Sequence, residues 1–252
     1  MNMFKLLIRL FLFIHIMGDF YLQSAKLAKN KRSNYKAVLL HGLIYLVTAL
    51  VIVLPFYSLE LLITAAVFAG VHLLVDSIKF VRHKTSEENS RTYLGDLTAH
   101  LLTVFLVTMF LVYRSNQYAL YPLLAELLTK TGVDVASVFL YLELVLILAK
   151  PINISIKRIL DKYKVDEKDE GVENAGALIG TLERIIIALL ISIDQFNTIG
   201  LVLTAKSVAR YNRIAEDKKF AEYYLLGTLL STLLALASPV GAPLTILSGS
   251  EK

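Results

Sequence analysis

The chain has 252 residues, of which 56% are hydrophobic and 19% are charged, with the apolar residues in long blocks rather than scattered. Soluble domains contain about 45–50% apolar and about 25% charged residues, so this composition excludes a soluble domain, a disordered chain or a repeat solenoid and predicts a polytopic membrane protein. The lack of cysteine excludes disulfides, zinc–thiolate sites and cysteine nucleophiles, and the net charge of +5 lies in short loops, which indicates contact with lipid headgroups rather than nucleic acid.

A membrane span needs about 20 mostly apolar residues. Eight blocks meet this expectation, at 3–21, 37–56, 59–80, 94–113, 136–153, 174–193, 196–211 and 221–239. Arg9, His15 and Asp19 interrupt the first block and no small-x-small cleavage site follows it, so we predict a span rather than a cleavable signal peptide. The seventh block is short and ends in Lys206 and Arg210, which leaves a tilted or half-inserted helix as the alternative.

The expected fold is an all-α transmembrane bundle of about eight spans in one integral membrane domain, 1–252. We divide it into a four-span half at 1–113, an amphipathic connection at 114–135 with Pro122 and Gly132 as breakers, a second half at 136–239 and a tail at 240–252.

The orientation follows from the basic residues in the connections. Lys and Arg concentrate in 22–36, 79–93, 150–173 and 206–219, and they are few or absent in 55–58, 114–135 and 194–198. Short loops rich in Lys and Arg stay in the cytoplasm. Eight spans with both termini outside satisfy every connection, which predicts a multi-pass protein of the cytoplasmic membrane.

Three pairs of histidine and aspartate stand four residues apart near the cytoplasmic ends of the predicted spans. They are His15 with Asp19, His72 with Asp76, and Asp96 with His100. Residues four apart share a helix face, so each pair points to one place. Imidazole and carboxylate groups bind zinc, manganese and non-haem iron. We therefore predict that these six residues hold a divalent metal or support its ligands, with His41 of the second span as a ligand or general base.

Two other interpretations of the pairs stay open. Histidine and aspartate within a bundle also form hydrogen bonds between helices, and they build proton relays through membranes.

A second group of polar residues occurs in the C-terminal half. Lys206 and Arg210 share a helix face, which suits the phosphate of a lipid headgroup, and Glu183 would orient one of them as part of the catalytic machinery. Anchoring of these cations at the membrane surface is the alternative. Gln23 and Lys79 extend the first and third predicted spans by about one turn, and we expect both to contact the substrate.

The chain resembles, in four separated segments, an uncharacterised bacterial membrane family, a domain of unknown function whose hallmark is HxxxDFxLQ. The segments are HIMGDFYLQ (His15 to Gln23), HLLVDSIK (His72 to Lys79), GALIGTLER and TAKSVAR. More loosely, the early HxxxD pairs are similar to those of the SOS-regulated membrane-bound metal-dependent hydrolases. That second resemblance implies that His15, Asp19, His72 and Asp76 are metal ligands, and the first implies a bacterial inner membrane.

The leading hypothesis is an integral membrane metal-dependent hydrolase that acts on a phospholipid or another amphiphile at the cytoplasmic leaflet. One alternative is a proton- or ion-coupled transporter that uses the His–Asp pairs. Another is a non-catalytic partner of a cytoplasmic protein, docking through the basic loops at 22–36 and 157–173. Membrane lipids are the expected partners, further copies of the chain are compatible with each hypothesis, and no nucleic acid is expected.

Overall fold

The computed structural model describes residues 3–83, 89–114, 116–132, 134–164 and 175–238, and throughout these ranges the regular structure is helical. The α-helices are α1 (Met3–Ile16), α2 (Ala25–Asn30), α3 (Tyr35–Val53), α4 (Leu59–His83), α5 (Ser90–Tyr113), α6 (Pro122–Thr131), α7 (Val135–Ile159), α8 (Ala175–Ser192), α9 (Phe196–Val208), α10 (Tyr211–Glu216) and α11 (Lys218–Leu236). Short 3-10 turns cover Leu54–Phe56 and Asp161–Tyr163. The predicted all-α class is confirmed for these ranges.

Five helical segments of the described chain are long and apolar enough to cross a membrane. They are Tyr35–Phe56, Leu59–Arg82, Ser90–Tyr113, Val135–Ile159 and Ala175–Ser192. They coincide with the second to sixth predicted spans. The other three predicted spans are helical as well, but α9 has only 13 residues, or about 20 Å, against a hydrocarbon core of about 30 Å.

Short polar side chains fix where several helices begin. Asn89 accepts a hydrogen bond from the backbone N–H of Thr92 at 3.0 Å while the Thr92 hydroxyl accepts one from the Asn89 N–H at 3.1 Å, so α5 starts with a capping box. Asn34 and Asp217 accept in the same way from the backbone N–H groups of Lys36 and Phe220, at the starts of α3 and α11. Each bond satisfies a helix-end donor that the helix itself leaves open.

The connections differ from simple loops. Pro122, predicted as a breaker, is the first residue of α6, where its missing N–H costs no helical hydrogen bond. Helix α2 lies inside the predicted basic loop at 22–36. Of the predicted loop at 157–173, residues 157–159 belong to α7, and residues 165–173 lie outside the described residues, as does the predicted tail at 240–252.

The chain divides into two compact units, Met1–Glu143 and Leu144–Lys252. In the first unit, α1 packs against α3 and α5, α3 packs against α4, and α4 packs against α5. One face of α1 is fully buried there, with Leu6, Leu7, Leu10, Phe11 and Ile14 at 0% exposure. The Phe11 ring meets Phe68 of α4 edge to face at 5.1 Å between centroids. Helices α1, α3, α4 and α5 thus share one apolar core, which contains these side chains of α1.

Helix α3 is apolar on most of its surface, but one of its faces is exposed and the other is buried. Leu39, Leu43, Val47 and Val51, spaced by four, are exposed along one side, while His41 and Tyr45 are buried on the other. Exposed apolar stripes of this length mark contact with lipid or with another protein.

In the second unit, α8 packs against α9 and α11. Its apolar core contains Leu148, Ile152, Ile187, Ala188, Ile199 and Ala235. Helix α10 packs against α11.

Candidate metal centre

All seven predicted histidine and aspartate side chains of the first unit meet in one cluster. The chain supplies them from the α1 end (His15, Asp19), α3 (His41), α4 (His72, Asp76) and α5 (Asp96, His100). The four imidazoles and Asp76 are buried, with at most 4% of each residue exposed. Within three overlapping triads, His15–Asp19–His72, His41–His72–Asp76 and Asp76–Asp96–His100, one ligand atom from each residue lies within 4.8 Å of the others. The cluster is thus able to hold a metal ion.

Asp19 reaches the cluster because the first helix widens where it ends. Residues Met17–Tyr21 form a π-helical turn, closed by the Leu22 N–H donating to the Met17 carbonyl at 2.8 Å. In this turn one Asp19 oxygen, Oδ2, stays 3.6 Å from His15 Nδ1, while the other, Oδ1, points to α3 and α4. Such turns are uncommon and concentrate at functional sites.

The centre of the cluster is a triangle of three ligand atoms. His41 Nε2 lies 3.1 Å from His72 Nε2 and 3.1 Å from Asp19 Oδ1, and His72 Nε2 lies 3.2 Å from the same oxygen. Four ligands held tetrahedrally at about 2.0–2.1 Å from a zinc ion stand about 3.3 Å apart. The triangle therefore has nearly the edge length that such an ion requires.

Hydrogen bonding alone does not account for this arrangement. A ring nitrogen has one lone pair or one N–H, so it makes one good hydrogen bond. His41 Nε2 nevertheless faces two partners at 3.1 Å and a third, Asp76 Oδ2, at 3.6 Å. The Nδ1 atoms of His41 and His72 are buried with no hydrogen-bond partner among the described residues. Both rings therefore direct their polar interactions to one point, as metal ligands do.

Asp76 and Lys31 stand beside the triangle. Asp76 Oδ2 is 3.6 Å from His41 Nε2 and 3.7 Å from His72 Nε2, and it accepts a hydrogen bond from Lys31 Nζ at 2.6 Å. The same ammonium donates to Gln23 Oε1 at 3.3 Å. The side chains of Asp19 and Lys31 are 19% and 17% exposed. The cluster is therefore partly open to solvent at these two side chains.

His100 and Asp96 form a further layer on the α5 side. The His100 ring stacks on that of His72 with centroids 4.2 Å apart. Its Nε2 atom lies 3.4 Å from Asp96 Oδ1 and 3.9 Å from Asp76 Oδ1. Lys79 donates to the other Asp96 oxygen, Oδ2, at 2.7 Å. Of the two predicted substrate contacts, Lys79 is therefore hydrogen-bonded to Asp96, and Gln23 to Lys31.

Two residues of the site were not expected from the sequence. Lys31 lies in the basic connection at 22–36, which indicates only the orientation of the spans in the membrane. Nothing in its spacing links it to Asp76. The Tyr45 ring stacks on His72 with centroids 3.7 Å apart and planes 11° from parallel. Its position four residues after His41, on the same face of α3, was a usable signal.

A glycine makes room for that tyrosine. A Cβ atom on Gly18 would lie 2.5 Å from Tyr45 Cδ2 and 2.8 Å from Cε2. The widened turn and the Tyr45 ring therefore depend on the absence of a side chain at this position.

The predicted headgroup residues lie in the second unit. Lys206 Nζ donates to Glu183 Oε2 at 2.5 Å and lies 5.6 Å from the centroid of the Tyr224 ring. The Arg210 guanidinium lies 6.0 Å from the Phe220 ring. Glu183 thus lies next to Lys206, while its orienting role and the binding of a phosphate there stay predictions.

The neighbouring Arg184 is fully buried and ties three helices of the second unit together. Its Nε donates to the Leu148 carbonyl at 2.7 Å, one terminal nitrogen to Ser231 Oγ at 3.0 Å, and the other to Asn153 Oδ1 at 2.6 Å. A Cβ on Gly180 would lie 3.2 Å from the guanidinium. The planar fork of donors suits this fixed set of acceptors.

Residues 6–127 match the model of a family described as a protein of unknown function (DUF3307). This confirms the resemblance to an uncharacterised family for the part of the chain that contains the whole His/Asp cluster with Lys31 and Lys79. The match leaves out the segment with Glu183, Lys206 and Arg210. No match is found among curated proteins or among solved structures.

Proposed function

We propose that the protein is a membrane-embedded metal-dependent hydrolase whose substrate is a phospholipid or another amphiphile. The observation that carries this proposal is the triangle of His41 Nε2, His72 Nε2 and Asp19 Oδ1, with sides of 3.1–3.2 Å. Two imidazoles and one carboxylate are a common ligand set of catalytic zinc, and manganese and iron accept the same donors. Three protein ligands leave a fourth position for water.

The groups beside the triangle suit hydrolysis. A bound divalent ion would lower the pKa of a coordinated water from about 15.7 towards 7. Asp76 Oδ2, next to both ring nitrogens, would accept the proton that such a water loses. Attack of the water oxygen on the phosphorus or acyl carbon would break the bond to the leaving oxygen, and Asp76 would return its proton to that oxygen. Lys31, 2.6 Å from Asp76, offsets the negative charge that builds up on the substrate.

Burial and access fit a lipid substrate. The rings of His41 and His72 are buried inside the helices, whereas the Asp19 and Lys31 edge and the Asp96 and Lys79 edge are partly exposed. A charged headgroup would approach along the first of these edges while its acyl chains stay beside apolar surfaces such as the exposed stripe of α3.

The membrane arrangement that we propose has eight spans with both termini outside, in the cytoplasmic membrane. The alternation of basic and non-basic connections supports it. In this arrangement the cluster opens towards the cytoplasm, where α2 carries Lys26 and Lys29 close to the partly exposed Lys31.

A transporter is the second candidate, and the position of Asp76 favours it. Asp76 Oδ2 lies near enough to both ring nitrogens to act as a fourth ligand, which would close the coordination sphere and leave no position for water. Such a site would bind an ion for passage rather than activate water.

Metal analysis of the detergent-purified protein tests the proposal. Wild type should retain at least about one divalent ion per chain, and His41→Ala and His72→Ala should each lose the ion held by the triangle. Asp161→Asn removes an exposed carboxylate of the second unit. It is the control and should retain as much metal as wild type. Hydrolysis of phospholipid in mixed micelles, lost with the ion and restored by Zn²⁺ or Mn²⁺, would favour the hydrolase over the transporter. A wild type that is active without any ion would overturn the proposal.

A further inference from the structure

His100 and Asp96 are left over when the triangle alone is considered a metal site. Both lie on α5, which contributes no atom to the triangle. They are nevertheless turned towards it, since His100 Nε2 lies 3.9 Å from Asp76 Oδ1 and 3.4 Å from Asp96 Oδ1. Three ligand atoms of different residues thus meet at a second place in the cluster.

Two of these atoms, His100 Nε2 and Asp96 Oδ1, have no hydrogen bond that would explain their burial. His100 is 3% exposed, and neither of its ring nitrogens has a hydrogen-bond partner within the described ranges. Asp96 Oδ1 is likewise buried and without such a partner. Buried polar atoms of side chains nearly always have a partner, and leaving one without costs about 1–3 kcal/mol. Two of them, His100 Nε2 and Asp96 Oδ1, face each other at 3.4 Å, which indicates a ligand between them.

Asp76 joins the two places. Its Oδ2 atom faces His41 and His72 at 3.6 and 3.7 Å, and its Oδ1 atom faces His100. A carboxylate whose two oxygens face two separate sets of ligands is the connection expected in a two-metal site.

The spacing of the rings also fits two ions. The imidazoles of His72 and His100 stack with centroids 4.2 Å apart and planes 28° from parallel. Both Nε2 atoms point to Asp76, at 3.7 and 3.9 Å, so ions bound to them would be separated by about the ring spacing. Two-metal hydrolases and nucleases hold their ions about 3.5–4 Å apart.

We propose that the cluster binds a second divalent ion through His100 Nε2, Asp96 Oδ1 and Asp76 Oδ1, so that the centre is dinuclear. This inference rests on the proposed function, because it takes the triangle as the first ion's site. Two ions would bind two oxygens of one phosphoryl group and stabilise both the attacking and the leaving oxygen. The pair of sites therefore narrows the substrate class to phosphate esters, such as the phosphodiester of a phospholipid headgroup.

The lysines are compatible with a second ion. Lys79 binds Asp96 through Oδ2 and leaves Oδ1 for a metal, and Lys31 binds Asp76 through Oδ2 and leaves its Oδ1. Three carboxylates in one buried cluster also exceed the two lysines that pair with them, so additional positive charge is favourable there.

Manganese titration separates this inference from the proposed function. Metal-stripped wild type should bind about two Mn²⁺ per chain and give an exchange-coupled electron paramagnetic resonance signal. His100→Ala and Asp96→Asn should each bind half as many ions and give the uncoupled signal of isolated Mn²⁺, while Asp161→Asn keeps the wild-type signal. Gel filtration shows whether each variant is folded, and Asp96→Asn keeps the side-chain volume if His100→Ala fails this check.

Each other result has one meaning. A wild type that binds one Mn²⁺, unchanged by His100→Ala, would overturn the second site and leave the proposed function intact. Two ions that survive both α5 substitutions would place the second ion elsewhere and so also overturn the inference. A wild type that binds no Mn²⁺, Zn²⁺ or Fe²⁺ would overturn the proposed function along with it.

Discussion

The phenol ring of Tyr45 lies flat on the imidazole of His72, with centroids 3.7 Å apart and planes 11° from parallel. Both side chains are at most 1% exposed, and the Tyr45 hydroxyl has no hydrogen-bond partner in the described part of the chain. The aromatic face, rather than the hydroxyl, is therefore what this tyrosine contributes to the cluster, because it fixes the plane of the His72 ring.

Substitution of Tyr45 tests that division of roles. Tyr45→Phe keeps the stack and removes an unpaired hydroxyl, so metal content and thermal stability should stay at or slightly above the wild-type values. Tyr45→Ala leaves a cavity beside His72 and should cost about 3–5 kcal/mol of unfolding free energy, with weaker metal binding. Isothermal titration with Zn²⁺ and thermal unfolding in detergent measure both effects. Equal losses in the two variants would contradict the role given to the ring.

Gly18 and Gly70 form a matched pair for stability. A Cβ on Gly18 meets Tyr45 at 2.5 Å, whereas a Cβ on Gly70 meets no atom within 4 Å. We expect Gly18→Ala to destabilise the protein by about 1–3 kcal/mol through overpacking. Gly70→Ala, inside α4, should be neutral or stabilising by up to about 1 kcal/mol, because alanine is the better helix former. The melting temperatures of the two variants check this, and a Gly18→Ala that melts like wild type would contradict the close approach.

A double mutant sharpens the result. Because Tyr45→Ala removes the ring that the Gly18→Ala methyl would meet, the two changes together should cost less than the sum of their separate effects.

Arg184 should resist even a conservative change. Arg184→Lys keeps the charge but cannot supply the fork that reaches Leu148, Ser231 and Asn153. Buried acceptors would lose their donors, and we expect a loss of about 3–5 kcal/mol in unfolding free energy, as when one member of a buried charged network is removed. Arg91→Lys on the exposed start of α5 is the control and should change stability by less than about 0.5 kcal/mol. Chemical unfolding in detergent gives both values, and similar stabilities would show that the fork is dispensable.

Chelation should lower stability through the first unit alone. A ligand at 100 times its dissociation constant stabilises the folded state by about 2.7 kcal/mol, so EDTA should lower the melting temperature of wild type and added Zn²⁺ or Mn²⁺ should restore it. His41→Ala should show a smaller shift, since it removes one corner of the triangle and leaves the second site in place. The Lys206→Ala variant, changed in the second unit, should respond as wild type does. A chelator effect as large in His41→Ala as in wild type would show that no stabilising ion binds at the triangle.

The spacing of charged and apolar residues predicted much of the fold and the members of the cluster. The i, i+4 pairs at the ends of apolar blocks predicted that six side chains lie near one another. The position of His41 at the start of its block added this residue to the predicted cluster. The cytoplasmic depth of these residues and the span count depend on a membrane and stay predictions. The predicted eighth span forms α11, whose first turn contains Lys218 and Lys219, which weakens its match to a spanning helix.

The remaining features of the site depend on contacts between distant segments. A period of 3.6 residues gives no sign of the widened turn around Asp19, because a π-turn is a local change imposed by packing such as that of Gly18 against Tyr45. Lys31 reaches Asp76 across 45 positions of sequence, and a lysine in a basic loop has no pattern that distinguishes it from its neighbours. The separate duties of the two Asp76 oxygens are likewise visible only in three dimensions.

The wide turn at Met17–Tyr21 sets the rotational phase between the leucine-rich part of the first helix and the carboxylate that follows it. One residue corresponds to about 100° around a regular helix, so a chain shortened by one position here would keep its apolar anchor and turn Asp19 away from the two rings. A deletion of one residue in this turn would thus change the direction of Asp19 and leave the buried apolar face of the first helix in place. The packing of the first helix and the position of Asp19 can therefore change independently at this turn.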